Sequence, residues 1–83
     1  MKVTVKYFAS IREAIGQGSE PVTTSAATLT ALRDELIARG GAYAQALARG
    51  KTLRMALNQT MADEATVLHD GAEVAFFPPV TGG

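Results

Sequence analysis

The sequence predicts an α+β domain in which a small mixed sheet is covered by one main helix. Apolar and polar residues alternate along 2–7, which is the period of a strand with one buried face. Residues 73–77 are predicted to form a final strand, with Val74 and Phe76 on one face and Ala75 and Phe77 on the other. Between them, Leu29, Leu32 and Leu36 recur at the spacing of a helix with one apolar stripe. Strands at both ends of a short chain and a long helix between them favour a sheet packed against that helix.

Turn and capping residues define the remaining elements. Ser10 is predicted to cap a short helix that ends at Gly16, and Thr28 is predicted to cap the main helix, which ends at Gly40. Arg33 is expected to lie off the apolar stripe of that helix. The other predicted elements are a strand at 21–24 paired with the first, a short helix at 42–48, a strand at 53–57, an edge strand within 60–68, and a turn at 69–71.

Composition excludes several classes of function. The 83 residues make one small domain, in which we expect no cofactor to be bound in the interior. Eight cationic residues balance eight acidic ones, which argues against nucleic-acid binding and against a polybasic membrane patch. Cysteine is absent, so disulfides, thiolate metal sites and a cysteine nucleophile are excluded. No signal peptide or membrane-length apolar run is present, and we expect a cytoplasmic protein.

No residue pattern supports an enzyme contained in this chain. Residues 50–52, Gly-Lys-Thr, match the end of a phosphate-binding loop, but the glycine required five residues earlier is Gln45. A solvated turn between a helix and a strand explains the segment better. His69 is the only histidine, so it has no partner for a metal site and is expected on the surface. Asp63 and Glu64 are adjacent in sequence, which points their carboxylates apart in a strand.

Two phenylalanines are predicted on the sheet face away from the main helix. By strand alternation, Phe8 and Phe77 both point to this face, together with Ala56, and Met61 is a further candidate for it. A contiguous apolar surface of this kind usually marks a partner site. The alternative is a local bulge that turns one of the phenylalanines inward.

The carboxyl-terminal segment, Pro78 to Gly83, has no evident place in the core. Pro78 and Pro79 end the last strand and favour an extended path away from the domain. Six extended residues reach roughly 20 Å. Gly82 and Gly83 lack side chains and could enter a narrow channel, which would deliver the terminal carboxylate to a partner. A frayed end that happens to finish in glycines is the alternative.

The segment 76–83, Phe-Phe-Pro-Pro-Val-Thr-Gly-Gly, closely resembles the end of the small subunits of molybdopterin synthases. Shorter stretches along nearly the whole chain are similar to that family as well. Met61 stands at a position where that family commonly has a leucine, which is a mild change for an apolar contact. The upstream stretches are Lys6-Tyr7-Phe8-Ala9, Arg12-Glu13, Thr28-Leu29, Ala31-Leu32-Arg33, Leu57-Asn58-Gln59-Thr60, Asp70-Gly71 and Glu73-Val74-Ala75.

The resemblance implies a β-grasp, ubiquitin-like fold and a sulfur-carrier mechanism. A ubiquitin-activating-type adenylyltransferase would use ATP to convert Gly83 into an acyl-adenylate, and sulfur would replace AMP to give a thiocarboxylate. The sulfur would then attack a cyclic pyranopterin precursor in the synthase large subunit, in an assembly of two small and two large subunits. The chain alone would be non-catalytic, with ATP used only by the activating enzyme.

The resemblance also assigns roles to residues. Gly83 would be the reacting residue, Phe8, Met61 and Phe77 the docking face, and 78–83 the inserted arm, comprising Pro78, Pro79, Val80, Thr81, Gly82 and Gly83. The chain would accordingly divide into a domain at 1–77 and a tail at 78–83. Two rival functions remain open: a sulfur carrier for another pathway, such as thiamine synthesis, and a β-grasp interaction module with a passive tail.

Overall fold

A computed structural model describes residues 1–79, and the prediction of an α+β fold is confirmed. Five strands form one sheet in the order β2-β1-β5-β3-β4, with β1 and β5 parallel and the other pairs antiparallel. The elements are β1 (Lys2–Tyr7), α1 (Ala9–Ile15), β2 (Ser19–Thr23), α2 (Leu29–Ile37), α3 (Gly41–Ala46), β3 (Arg54–Leu57), β4 (Thr60–Ala62) and β5 (Glu73–Phe77).

The apolar stripe of α2 packs on one face of the sheet, as its spacing predicts. Leu29, Leu32 and Leu36 are buried in the same hydrophobic cluster as the inward residues of β1 and β5. The Thr28 hydroxyl accepts a hydrogen bond from the backbone N–H of Ala31 at 3.2 Å, so the predicted cap is confirmed. The central strands β1 and β5 are therefore completely buried on the face that α2 covers, and their second face points away from α2.

The predicted cap of α1 is wrong. The helix begins at Ala9, and Phe8 occupies the capping position without a side-chain hydrogen bond. The chain turns directly from β1 into α1 through Ala9, whose φ of +51° lies in the left-handed region, so Ser10 is already helical. The end at Gly16 is confirmed: its φ is +90° and its N–H bonds the carbonyl of Arg12, the conformation that glycine adopts most readily.

Arg33 does not lie in solvent beside the stripe of α2, because its side chain is buried. Its Nε donates to the carbonyl of Leu47 at 2.8 Å, and its Nη2 donates to the carbonyls of Ala48 at 2.6 Å and Lys51 at 3.0 Å. Burial, and then the neighbouring Arg49, lower the pKa of Arg33. The guanidinium therefore ties α2 to the turn that leads from α3 into β3.

The remaining predicted elements are present, with ends that shift by one to three residues. The edge strand predicted within 60–68 is β4, and β5 has the predicted bounds. His69 is exposed, as predicted, and the 50–52 segment is the predicted turn before β3. Within residues 1–79, no helix reaches the length and apolarity that crossing a bilayer requires.

Candidate functional site

The sheet face away from α2 carries an apolar patch, made of Phe8, Ala56, Met61, Ala75 and Phe77. Strand register places these residues side by side, with Ala75 opposite Ala56 and Ala56 opposite Met61 across three strands. Phe77 follows two residues after Ala75 and points the same way. Ala56 and Ala75 are buried, yet neither belongs to the hydrophobic core on the α2 side.

The two phenylalanines that alternation predicts on this face do meet there. Their rings pack edge to face with centroids 6.3 Å apart and an interplanar angle of 86°. The side chain of Phe8 is 45% exposed and Met61 is 57% exposed, while Phe77 is partly buried. The bulge that would have turned one phenylalanine inward is therefore absent from the described strands.

Backbone geometry around Ala9 holds Phe8 on the patch. The N–H of Phe8 donates to the carbonyl of Phe76 at 3.2 Å, which extends the β1–β5 pairing by one residue. Ala9 then takes a positive φ, a conformation that costs a residue with a Cβ roughly 1–2 kcal/mol. The sharp turn starts α1 immediately, so Phe8 stays beside Phe77 instead of being carried away with the helix.

Phe76 and Phe77, at the end of β5, lie on opposite faces of the sheet. Phe76 is fully buried and its ring stacks near that of Tyr7, with centroids 6.4 Å apart. Phe77 lies on the patch, and Pro78 follows it directly. The segment that begins at Pro78 therefore starts at the edge of the patch.

Pro78 and Pro79 line a surface groove of about 320 Å³ beside α1 and α3. Its other walls come from Ser10, Ile11, Ala14, Ala46, Lys51, Thr52 and Leu53. Neither proline belongs to a strand or a helix, as predicted. The four further predicted tail residues, Val80, Thr81, Gly82 and Gly83, lie outside the described residues.

A second group of polar side chains joins the opposite edge of the sheet to the helices. The carboxylate of Glu20 accepts hydrogen bonds from the hydroxyls of Tyr7 at 2.8 Å and Tyr43 at 2.6 Å, and pairs with Arg39 at 2.9 Å. Burial alone would raise the pKa of Glu20, but these three donors outweigh burial and lower it. Burial and the bond to Glu20 raise the pKa of Tyr7.

The described part of the chain offers little catalytic chemistry of its own. Among residues 1–79, no three histidine, aspartate or glutamate side chains come together as a metal site. The exposed His69 ring, in the segment between β4 and β5, lies 3.1 Å from the amide of Asn58 in the β3–β4 loop. The apolar patch, with Pro78 and Pro79 directly after Phe77, is the candidate functional site.

Comparison with known proteins decides the family. A model of the ThiS family matches residues 5–83. The chain belongs to the ThiS family. It is 44% identical over 81 residues to a protein of Escherichia coli strain K12 named molybdopterin synthase sulfur carrier subunit, over 98% of this chain and 99% of that one.

Solved structures extend this family likeness to the fold. SAMP1 of Haloferax volcanii has a TM-score of 0.78 at 27% identity, with both chains covered completely. A chain in the complex of subunits 1 and 2 of molybdopterin-converting factor from Helicobacter pylori 26695 has a TM-score of 0.69 at 28% identity, again over both whole chains. The predicted β-grasp, ubiquitin-like fold is confirmed by these relatives and by the strand order.

Reasoning from the residues located Phe8, Ala56 and Phe77 on one face, and it missed Ala75 as the residue that connects them. Ala75 was predicted on the correct side of β5, but its role as the bridge depends on strand order, which alternation within single strands does not give. Arg33 was missed altogether as a buried residue. Its three backbone acceptors belong to an irregular segment that leaves no periodic signal.

Proposed function

We propose that this chain is the sulfur carrier of a molybdopterin synthase, acting through the carboxylate of Gly83. The observation that carries the proposal is the arrangement at the end of β5. There Phe77 packs against Phe8 on an exposed apolar patch, and the Pro78-Pro79 segment begins at its edge. The Escherichia coli relative, which covers nearly the whole chain and carries this function in its name, supports the choice of pathway.

The chemistry follows from the weakness of a carboxylate as an electrophile. An adenylyltransferase of the ubiquitin-activating type uses ATP to join the Gly83 carboxylate to AMP, with release of pyrophosphate. A sulfur nucleophile then displaces AMP and leaves a thiocarboxylate. This sulfur attacks a carbon of a cyclic pyranopterin precursor and forms a C–S bond, which leaves carrier and precursor joined as a thioester. Water then cleaves the bond between the sulfur and the acyl carbon of Gly83 and regenerates the carboxylate, and two such transfers supply both sulfurs of the dithiolene of molybdopterin.

The partner supplies the acid–base groups, and this chain positions the reacting sulfur. Docking of Phe8, Met61 and Phe77 against an apolar surface of the large subunit fixes the domain, so that the tail enters the active site as an intramolecular arm. Pro78 and Pro79 restrict the arm at its base, while Val80, Thr81 and Gly82 carry Gly83 forward. In this proposal residues 1–77 are the docking domain and 78–83 the reactive tail.

The proposed setting is the cytoplasm, with two small and two large subunits in the assembled synthase. The complex of subunits 1 and 2 reported for the Helicobacter pylori relative supports a pairing of this kind. Activation and sulfur transfer would use the same tail in succession, so the carrier must leave the adenylyltransferase before it enters the synthase.

One added residue tests the proposal. A single alanine appended after Gly83 removes the terminal carboxylate from its position while leaving residues 1–79 unchanged. We expect this variant to fold normally and to support no molybdopterin formation with purified large subunit, adenylyltransferase, ATP and a sulfide donor. The control carries the same alanine before Met1 and should be fully active. Molybdopterin formation by the extended variant would refute the proposal.

A further inference from the structure

Positive charge is concentrated in one groove beside the apolar patch. The groove, of about 660 Å³, lies between the α3–β3 turn and the segment that follows Met61 in β4. Its charged walls are four cations and two carboxylates, although the whole chain has equal numbers of each. These residues are Arg33, Arg49, Lys51, Arg54, Asp63 and Glu64.

The two carboxylates of the groove are already engaged by other groups. Glu64 pairs with Arg33 at 3.2 Å and also with Arg49. The Asp63 carboxylate accepts hydrogen bonds from the backbone N–H of Ala65 at 2.9 Å and from the Thr66 hydroxyl at 3.3 Å. Of the four cations in the groove, Arg33 and Arg49 form ion pairs within residues 1–79, whereas Lys51 and Arg54 form none there.

These two cations lie between the patch and the start of the tail. Arg54 stands directly opposite Phe77 in the β3–β5 register, and Met61 lines the same groove. Lys51 also lines the smaller groove that contains Pro78 and Pro79. A protein that covers Phe77 and the groove of Pro78 and Pro79 would therefore approach both cations.

We propose that Lys51 and Arg54 bind carboxylate side chains on the synthase large subunit, at the rim of the contact made by the apolar patch. This inference rests on the proposed function, which supplies the partner. Charges at the rim of an interface mainly accelerate association and exclude wrong partners. Lys6, on the same sheet face, lies 3.3 Å from Glu73 and is compensated within the chain, so it has less need of a partner's carboxylate.

The charges favour an acidic protein surface over two other occupants. A second copy docked symmetrically through this groove would bring like charges together, which costs binding energy. Nucleic acid binds chains with a broad excess of positive charge, whereas this one has a formal net charge of zero. Two cations that form no ion pair within residues 1–79, beside an apolar patch, instead match a partner with a few carboxylates around an apolar centre.

Three charge reversals test the inference by the kinetics of binding to purified large subunit. Arg54→Glu and Lys51→Glu are each expected to raise Kd about fivefold at low salt, mainly by slowing association, with the difference shrinking at high salt. The matched control is Lys2→Glu, which makes the same change in net charge at the start of β1, about 20 Å from the end of the sheet that holds the groove. It should bind within twofold of the unmodified chain.

The outcomes separate this inference from the proposed function. If both test variants bind like the Lys2→Glu control while Phe77→Asp still weakens binding, the carboxylate contact is wrong and the docking proposal stands. If the unmodified chain does not bind the large subunit at all, both are wrong. Circular dichroism establishes that each variant is folded. If the charge reversal disturbs β3, Arg54→Gln replaces Arg54→Glu, and the increase in Kd should then be about half as large on a logarithmic scale.

Discussion

Phe8 and Phe77, which stand near opposite ends of the chain, pack edge to face on the sheet surface away from α2, with ring centroids 6.3 Å apart. Parallel pairing of β1 with β5 brings them together, and the positive φ of Ala9 keeps Phe8 in place. Because Pro78 follows Phe77 directly, docking through this pair would fix the origin of the tail relative to a partner. In the proposed function, docking of the domain and delivery of Gly83 would thus be coupled through Phe77.

Phe77→Asp should separate binding from folding. Phe77 lies on the patch, so the substitution should cost no more than about 1 kcal/mol of stability. Burying the new carboxylate against an apolar partner should raise Kd for the large subunit at least tenfold, as measured by calorimetry. Its neighbour Phe76 provides the contrast: Phe76→Ala should lower the free energy of unfolding by about 3–5 kcal/mol, because its side chain is fully buried. Unfolding of Phe77→Asp would place Phe77 in the core.

Arg33→Met should destabilise the domain by about 2–4 kcal/mol in urea unfolding. The methionine fills similar space but leaves the carbonyls of Leu47, Ala48 and Lys51 without their donor. Arg33→Lys should recover only part of the loss, since an ammonium lacks the planar fork that reaches all three. The control is Arg49→Met, which removes a 39% exposed cation from the same group and should cost less than about 1 kcal/mol. Equal losses at both positions would contradict this account.

Glu20 should make stability depend on pH in the acid range. Hydrogen bonds lower the pKa of Glu20 in the folded state, and burial does not cancel them. The carboxylate therefore makes its full contribution to the free energy of unfolding at neutral pH. That contribution is lost as the pH falls from the ordinary glutamate range through the folded pKa. Glu20→Gln should therefore be less stable than the unmodified chain at neutral pH, with a smaller difference at about pH 3. A difference that stays constant with pH would show that the carboxylate charge contributes nothing.

The hairpin between β3 and β4 can be stabilised by one substitution. Asn58 and Gln59 form its two-residue loop and have φ values of +51° and +69°, a region that favours glycine at the second position. Gln59→Gly should raise the free energy of unfolding by up to about 1 kcal/mol, because relief of roughly 1–2 kcal/mol of left-handed strain exceeds the roughly 0.5–1 kcal/mol of extra chain entropy that glycine loses on folding. Asn58→Gly is the matched comparison and should gain less, because the Asn58 amide oxygen accepts a hydrogen bond from the N–H of Glu73 at 2.9 Å. Greater stabilisation by Asn58→Gly would contradict this reading of the turn.

Strand alternation was sufficient to predict which face the aromatic residues occupy. A period of two leaves only two choices for each side chain, and burial of Val74 and Phe76 settles the choice for Phe77. The same argument works for Phe8 because its N–H continues the pairing of β1 with β5. Met61 was assigned to the docking face chiefly through the family resemblance, since β4 is too short to show a period.

Side-chain contacts with irregular backbone could not be predicted from the periodicity of strands and helices. Arg33 is one residue beyond Leu32 on α2, and sequence gives no sign that the turn after α3 offers it three carbonyls. The start of α1 was misplaced for a related reason. A serine near a helix start is a good cap on average, but the left-handed conformation of Ala9 begins the helix before Ser10 can act.

The intact mass of the protein, purified from its own cells while they are making molybdopterin, tests the central claim most directly. We expect a species heavier than the carboxylate form by the difference between one sulfur and one oxygen atom, with the added mass on the terminal peptide that contains Gly83. The form with alanine after Gly83, expressed in the same cells, should show only its unmodified mass. Detection of the carboxylate form alone in the unmodified chain would contradict the proposal that Gly83 carries sulfur.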